Sequence, residues 1–205
     1  MLNSIRRFFA GTPAQGNQAA HQIRQRQANI ERFDVTAFAG EFDVNWLTPV
    51  ISAPVWMSRA ERLMMFSLAF CLRPQRYLEI GTFQGGSALL VGSALDALKS
   101  DGRIAHRAEM FKGYSPDILQ TVAAKAGKPF DLVLIDGDHT YQGARRDATG
   151  VLPYVAPGGY ILFHDSFFPD VRRAIDEFVD EHSAQVIDFG LLTREITVQA
   201  SKDNP

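Results

Sequence analysis

The 205-residue chain holds a single cysteine, Cys71, and no marked excess of either charge. One thiol excludes an internal disulfide framework and any zinc site built on cysteines. With 21 basic and 23 acidic residues the net charge is −2, too little field to grip a phosphate backbone, so no nucleic-acid partner is expected. No apolar run approaches the roughly 20 residues that cross a bilayer, so no membrane partner is expected either. Met1 to Ala10 carries Arg6 and Arg7 but no long apolar stretch leading to a small-residue cleavage site, and the expected location is cytoplasmic.

What is present suits one globular domain with a modest extension, since 46% of residues are hydrophobic and 21% charged, enough for a sizeable core. Residues 1–30 contain four arginines, five glutamines and no acid, which reads as a solvated arm able to pair subunits into a homo-oligomer. A helix is expected over His21 to Arg32. The expected division is an N-terminal extension, 1–57, followed by the main domain, 58–205. Trp46 and Trp56 supply large apolar surface near the junction. Ser58, with Glu61 three residues on, marks a helix start, and Leu63, Met64, Phe66, Leu68 and Phe70 carry that helix to about residue 72 as a core stripe.

Strands and helices then alternate. Short apolar runs at Tyr77–Ile80, Leu132–Ile135 and Tyr160–Phe163 read as strands covered on both faces, and Arg103–Phe111 as a weaker one. Helices are expected over Ser87–Leu98, over Ser115–Ala126 with Ser115 as cap and Gly127 as stop, over Gln142–Tyr154 and over Val171–His182. Pro157-Gly158-Gly159 reads as a turn. Gln185–Phe189 and Glu195–Gln199 flank Gly190 as a terminal antiparallel pair would. The fold class is therefore α/β, a doubly wound, mainly parallel sheet with an antiparallel last strand. In such sheets ligands bind beyond the carboxyl ends of the strands. Gly81, Asp136 and His164-Asp165 stand there.

Glu79-Ile80-Gly81-Thr82-Phe83-Gln84-Gly85-Gly86-Ser87 joins the first strand to its helix. Glycine lets the backbone turn tightly and approach a ligand, and the helix start offers unpaired N–H groups. A dinucleotide loop wants G-x-G-x-x-G; here the spacing is G-x-x-x-G-G with an acid two residues ahead. Glu79 would repel pyrophosphate but suits a cofactor carrying ammonium or sulfonium charge. That disfavours a nicotinamide-dependent oxidoreductase.

Asp136-Gly137-Asp138-His139-Thr140-Tyr141 follows a strand too apolar to hold charge, so its polar groups belong at the exposed end. His164-Asp165-Ser166 does the same after Gly158-Gly159. Asp136, His164 and Asp165 can offer oxygen and nitrogen ligands to one divalent ion, Mg²⁺ on its oxygens or Mn²⁺ on its histidine. Asp138 reads as a turn former, Arg145, Arg146 and Asp147 as a solvated helix face, with a brace for the loop as the alternative for Asp147, and His21, His106 and His182 as surface residues. Phe111, Tyr141, Phe167 and Phe168 are candidates for an apolar pocket.

Together these segments, over about residues 72–182, resemble class I S-adenosylmethionine-dependent methyltransferases. They resemble in particular the metal-dependent catechol O-methyltransferase-like enzymes and their bacterial branch acting on sugars and other natural products. The resemblance implies a Rossmann-like methyltransferase fold and transfer of a methyl group from S-adenosylmethionine to a hydroxyl of a small molecule, a sugar, polyol or phenol. It puts Glu79, Gly81, Thr82, Phe83, Gly85 and Ser87 on the methionine side of the cofactor and Tyr114 and Ser115 on the adenine side. It makes Asp136, His164 and Asp165 the metal ligands and His139 the catalytic base. His164 departs from the family, which has Asp or Glu there. So does the stretch between Leu98 and Lys112, where the family places two strands and a helix, the first strand ending in the acid that binds the ribose. Six candidate strands stand where the family has seven, so the expectation is that one β–α unit is missing, either from the protein or only from this sequence, with Asp101 and Glu109 as the candidate substitutes for that acid. A non-catalytic binding or assembly protein on the same fold is the alternative.

Overall fold

The computed structural model describes residues 44–97, 108–191 and 197–201, all within the second of two compact units, 43–205. The expected helix at 21–32, the candidate acid Asp101, and His21 and His106 lie outside the described residues, as does the 103–107 part of the weak strand.

A 3₁₀ turn, Val44–Leu47, leads into a short helix, α1 (Thr48–Ser52), and then α2 (Arg59–Leu72). The expected capping box is present: the Ser58 hydroxyl accepts the Glu61 N–H at 3.3 Å, and the Glu61 carboxylate accepts the Ser58 N–H at 2.7 Å. Those bonds let Glu61 sit buried at a helix start, where the dipole favours its charge. Met65, Phe66 and Ala69 form the buried face of α2, which packs on the next helix; of the expected core stripe only Phe66 is buried there, and Leu63 is exposed.

The chain continues through β1 (Tyr77–Ile80), α3 (Gly86–Ala97), α4 (Leu119–Ala126), β2 (Phe130–Ile135) and α5 (Tyr141–Val151). A 3₁₀ turn (Leu152–Tyr154), β3 (Val155–Phe163), α6 (Pro169–Glu181), β4 (Val186–Leu191) and β5 (Thr197–Ser201) complete the described order. The sheet order is β1-β2-β3-β5-β4; β1, β2 and β3 run parallel and the last pair antiparallel, as expected.

Three expectations need correction. Pro157-Gly158-Gly159 lies inside β3, where Gly158 takes φ 76, so the strand begins five residues before Tyr160. Ser115 does not cap a helix: Pro116 follows it through a cis bond, residues 115–118 form turns, and α4 starts at Leu119. Residues 108–111 form no strand. Only 21 residues, 98–118, separate α3 from α4, fewer than the roughly 30 of a β–α–β unit. Among the described residues β1 pairs with β2 alone.

Register decides where the site lies. Ile80 pairs with Ile135, and Ile135 with Phe163, so three strands end on one level. Leu132, Val133, Leu134, Ile161 and Leu162 are all buried beneath that level, which leaves no room for charge until the strands stop. Among the described residues no helix is long and apolar enough to cross a membrane.

Candidate active site

The residues just past the three strand ends are Gly81, Asp136 and His164, and the sheet hydrogen bonds continue into them. The Asp136 N–H donates to the Ile80 carbonyl at 2.8 Å, and the His164 N–H to the Ile135 carbonyl at 3.0 Å. Gly81 takes φ 93, and a Cβ there would lie 1.9 Å from the Asp136 carbonyl oxygen. Only glycine permits that approach, so the glycine loop and the acidic loop touch through their backbones.

On this row two carboxylates meet two imidazoles. His164 Nδ1 lies 3.2 Å from Asp136 Oδ1 and 3.1 Å from Asp165 Oδ2. His139 Nε2 lies 3.0 Å from Asp165 Oδ2 and 3.6 Å from Asp136 Oδ1. The two rings differ in setting: the His164 side chain is 3% exposed and that of His139 47%. Burial on its own would depress the His164 pKa, but hydrogen bonds to Asp136 and Asp165 and their charges overcome it and push it up to about 10. Burial works against the Asp165 carboxylate too, yet the His164 hydrogen bond and the two imidazoles hold its pKa below the usual range. Asp165 has φ 52, a left-handed conformation that aspartate tolerates better than most residues and that is concentrated at functional sites.

The donor set tests the implied cation. Ligand atoms of Asp136, His139 and Asp165 all lie within 4.8 Å of one another, with His164 Nδ1 against the same two carboxylates. Carboxylate oxygens and imidazole nitrogens converging at this spacing fit a divalent ion. Asp138 stands aside from the cluster, as expected of a turn former: it accepts the Thr140 N–H at 2.9 Å and packs against Gly143.

On the glycine-loop side, the Glu79 carboxylate accepts hydrogen bonds from the Tyr77 hydroxyl, at 2.9 Å, and from Thr82. Ser87 is buried in the first turn of α3. Gly85 takes φ 73. Phe83 is exposed and meets Trp56 with ring centroids 5.6 Å apart. Trp56 is thus not core, being 86% exposed.

On the other side Tyr114 is exposed beneath the Arg146 guanidinium, which also bonds its hydroxyl. The Ser115 hydroxyl is buried and faces the Asp147 carboxyl. Glu109, a candidate ribose acid, pairs with Lys125. Phe167 and Phe168 stack on each other at 4.3 Å, and Phe168 stacks on His139 at 5.7 Å, so both border the cluster. Phe111 and Tyr141 instead pack against the core.

Of the two places the sequence left open for Asp147, the structure takes the brace and not the solvated face: it is 4% exposed, beneath the acidic loop, where a Cβ on Gly137 would approach its Oδ2 to 2.9 Å. Burial raises its pKa to about 6, offset in part by Ser115 and Arg146. The signal was in the spacing: Ala144, Asp147, Ala148 and Val151 fall on one helical stripe.

A family model described as a methyltransferase domain matches residues 96–166. An uncharacterized protein, R132, of Acanthamoeba polyphaga mimivirus is 30% identical over 138 residues, covering 53% of this chain and 61% of its own length. The chain thus spans about three fifths of that relative. Among solved structures, the O-methyltransferase TomG of Streptomyces achromogenes, in complex with SAM, is 19% identical with a TM-score of 0.58, over 87% of this chain and 99% of that one. An O-methyltransferase of Bacillus cereus in complex with SAH is 16% identical with a TM-score of 0.59, over 98% and 96%. MycE, of mycinamycin biosynthesis, in complex with Mg, SAH and mycinamycin VI, is 15% identical with a TM-score of 0.53, over 78% and 54%. The fold is the α/β, Rossmann-like fold of class I S-adenosylmethionine-dependent O-methyltransferases.

Proposed function

We propose that this chain, which has the class I methyltransferase fold, is an S-adenosylmethionine-dependent O-methyltransferase acting on a hydroxyl of a small molecule. The observation that carries the reading is the row of strand ends: a glycine loop in backbone contact with a carboxylate–imidazole cluster. A sulfonium cofactor on the first and an acceptor oxygen at the second would lie side by side.

The cofactor's methionine end would lie along Gly81, Thr82, Phe83, Gly85 and Ser87, and its adenine by Tyr114 and Ser115. Asp136, Asp165 and a neighbouring histidine would hold a divalent cation, whose chemistry when bound is to draw acceptor oxygens together and acidify one hydroxyl. His139 takes that proton on Nε2, where the Asp165 carboxylate at 3.0 Å stabilises the imidazolium. The oxygen then attacks the methyl carbon in line; the O–C bond forms as the S–C bond breaks, and S-adenosylhomocysteine leaves as a neutral thioether. Much of the acceleration comes from holding oxygen and methyl at about 3–3.5 Å. Phe167 and Phe168 offer the acceptor an apolar wall beside His139.

The test is transfer of labelled methyl from S-adenosylmethionine to a panel of phenols, polyols and sugars with a divalent cation present. His139→Ala should lower turnover by about 10²-fold or more, while S-adenosylhomocysteine affinity stays within about threefold. Unchanged turnover would remove His139 from the mechanism. A second reading, a non-catalytic binding module, is favoured by the short stretch between α3 and α4 and by the Glu109–Lys125 pair. On that reading no methyl transfer occurs and S-adenosylhomocysteine does not bind.

A further inference from the structure

We infer that Tyr77, a residue outside the loops that carry the proposed site, is a positioning residue whose phenol sets the Glu79 carboxylate for the ammonium group of the cofactor. The inference rests on the proposed function and extends it to a side chain that acts through its neighbour.

Three observations carry it. First, strand alternation brings the two side chains together. Tyr77 and Glu79 stand two residues apart in β1 and so share one face, while Leu78 and Ile80 turn to the other and join the core with Val133, Ile135 and Ile161. The Tyr77 hydroxyl donates to Glu79 Oε2 at 2.9 Å, and the Thr82 hydroxyl, at the start of the glycine loop, donates to Oε1. Both oxygens are therefore held, one from the strand and one from the loop. Each can accept a further bond, so the carboxylate is oriented and still has room for an ammonium.

Second, the phenol is itself anchored. The buried Ser87 hydroxyl, in the first turn of α3, faces the Tyr77 oxygen. One phenol thus links the acid ahead of the loop Gly81–Gly86 to the hydroxyl behind it, and the loop is spanned by side-chain bonds as well as by its own backbone.

Third, the donor is neutral and stays so. Burial, then the charge and hydrogen bond of Glu79 and the charge of Asp136, push the Tyr77 pKa well above the usual tyrosine range, so the phenol keeps its proton. A neutral donor orients the carboxylate and leaves its negative charge for the ligand. A lysine or arginine in that place would cancel it.

The experiment titrates the full chain calorimetrically with two ligands. One is S-adenosylhomocysteine; the other is methylthioadenosine, which keeps the adenosine and the sulfur but has no amino-acid end. Tyr77→Phe removes one oxygen and keeps the ring. It should weaken S-adenosylhomocysteine by about fivefold or more, and methylthioadenosine by less than about twofold. In a Glu79→Gln background the same substitution should change S-adenosylhomocysteine affinity by less than about twofold, because the group it positions has lost its charge. Partial unfolding lowers both affinities alike and leaves their ratio unchanged, and thermal melts give the folded fraction of each variant.

Full S-adenosylhomocysteine affinity in Tyr77→Phe, equal losses for the two ligands, or an undiminished loss in the Glu79→Gln background would each overturn the inference and leave the cofactor reading standing. A native chain that binds neither ligand would remove the proposed function and this inference with it.

Discussion

The two halves of the crevice are built to different standards. Around Asp136, Asp165 and the two histidines, carboxylate and imidazole partners lie 3.0 to 3.6 Å apart, just past strand segments, 132–135 and 161–163, that are wholly buried. On the cofactor side β1 is half-buried and, among the described residues, has one neighbouring strand. Phe83 and Tyr114 stand in solvent, and Glu109, one of the two candidate ribose acids, is paired with Lys125. Packing strength tracks the covering: a strand with neighbours on both sides fixes the residues just past its end, whereas an edge strand leaves more of the work to its loop. On the proposed reading the chemistry end is therefore pre-formed, and the end proposed for the cofactor depends on a glycine loop a few residues long.

Gly81→Ala should break the comparison most severely, because it strikes a point where the two halves touch backbone to backbone. A side chain there meets the Asp136 carbonyl and must hold φ 93, which should cost about 3 kcal/mol or more in urea unfolding and abolish S-adenosylhomocysteine binding. Normal binding by this variant would show that the loops need no contact.

Asp147→Asn probes the over-built half. The carboxyl is raised to about 6 in the folded chain, against about 3.9 when unfolded. Its stabilising contribution is therefore complete below about pH 3.9 and is lost as pH rises through about 6. Asparagine imitates the protonated form. The variant should match the native chain near pH 4 and exceed its stability at pH 7.5, by at most about 3 kcal/mol, in urea unfolding. A less stable variant at pH 7.5 would mean that the ionised carboxylate is held favourably.

Glu109→Gln should have the smallest effect. If Lys125 rather than the ribose holds this exposed acid, stability should move by no more than about 0.5 kcal/mol and S-adenosylhomocysteine affinity by less than about twofold. A loss of tenfold or more would make Glu109 the ribose acid and strengthen the weaker half.

Most of the sheet was legible because its strands are short apolar runs that end in charge, and Leu132–Ile135 followed by Asp136 can hardly be read otherwise. The convergence of Gly81, Asp136 and His164 came with it, since parallel strands bring successive carboxyl ends to one edge. Local chemistry misled where tertiary packing overruled it. Gly158 looked like a turn but carries positive φ within a strand, and Ser115 looked like a cap but lies in a turn ahead of α4. For Asp147 the sequence left two places open, a solvated face and a brace for the loop, and its position on the buried stripe of α5 decides for the second. The placing of two imidazoles beside one pair of carboxylates needed coordinates, since sequence spacing cannot show that His164 and His139 face the same two oxygens.

The most direct measurement is calorimetric titration of the full chain with S-adenosylhomocysteine, with Mn²⁺ present. One site with micromolar affinity is the expected result, the glycine loop and the adenine-side loop sufficing without a ribose acid. No heat at millimolar ligand, from a chain that melts cooperatively, would contradict the methyltransferase reading outright.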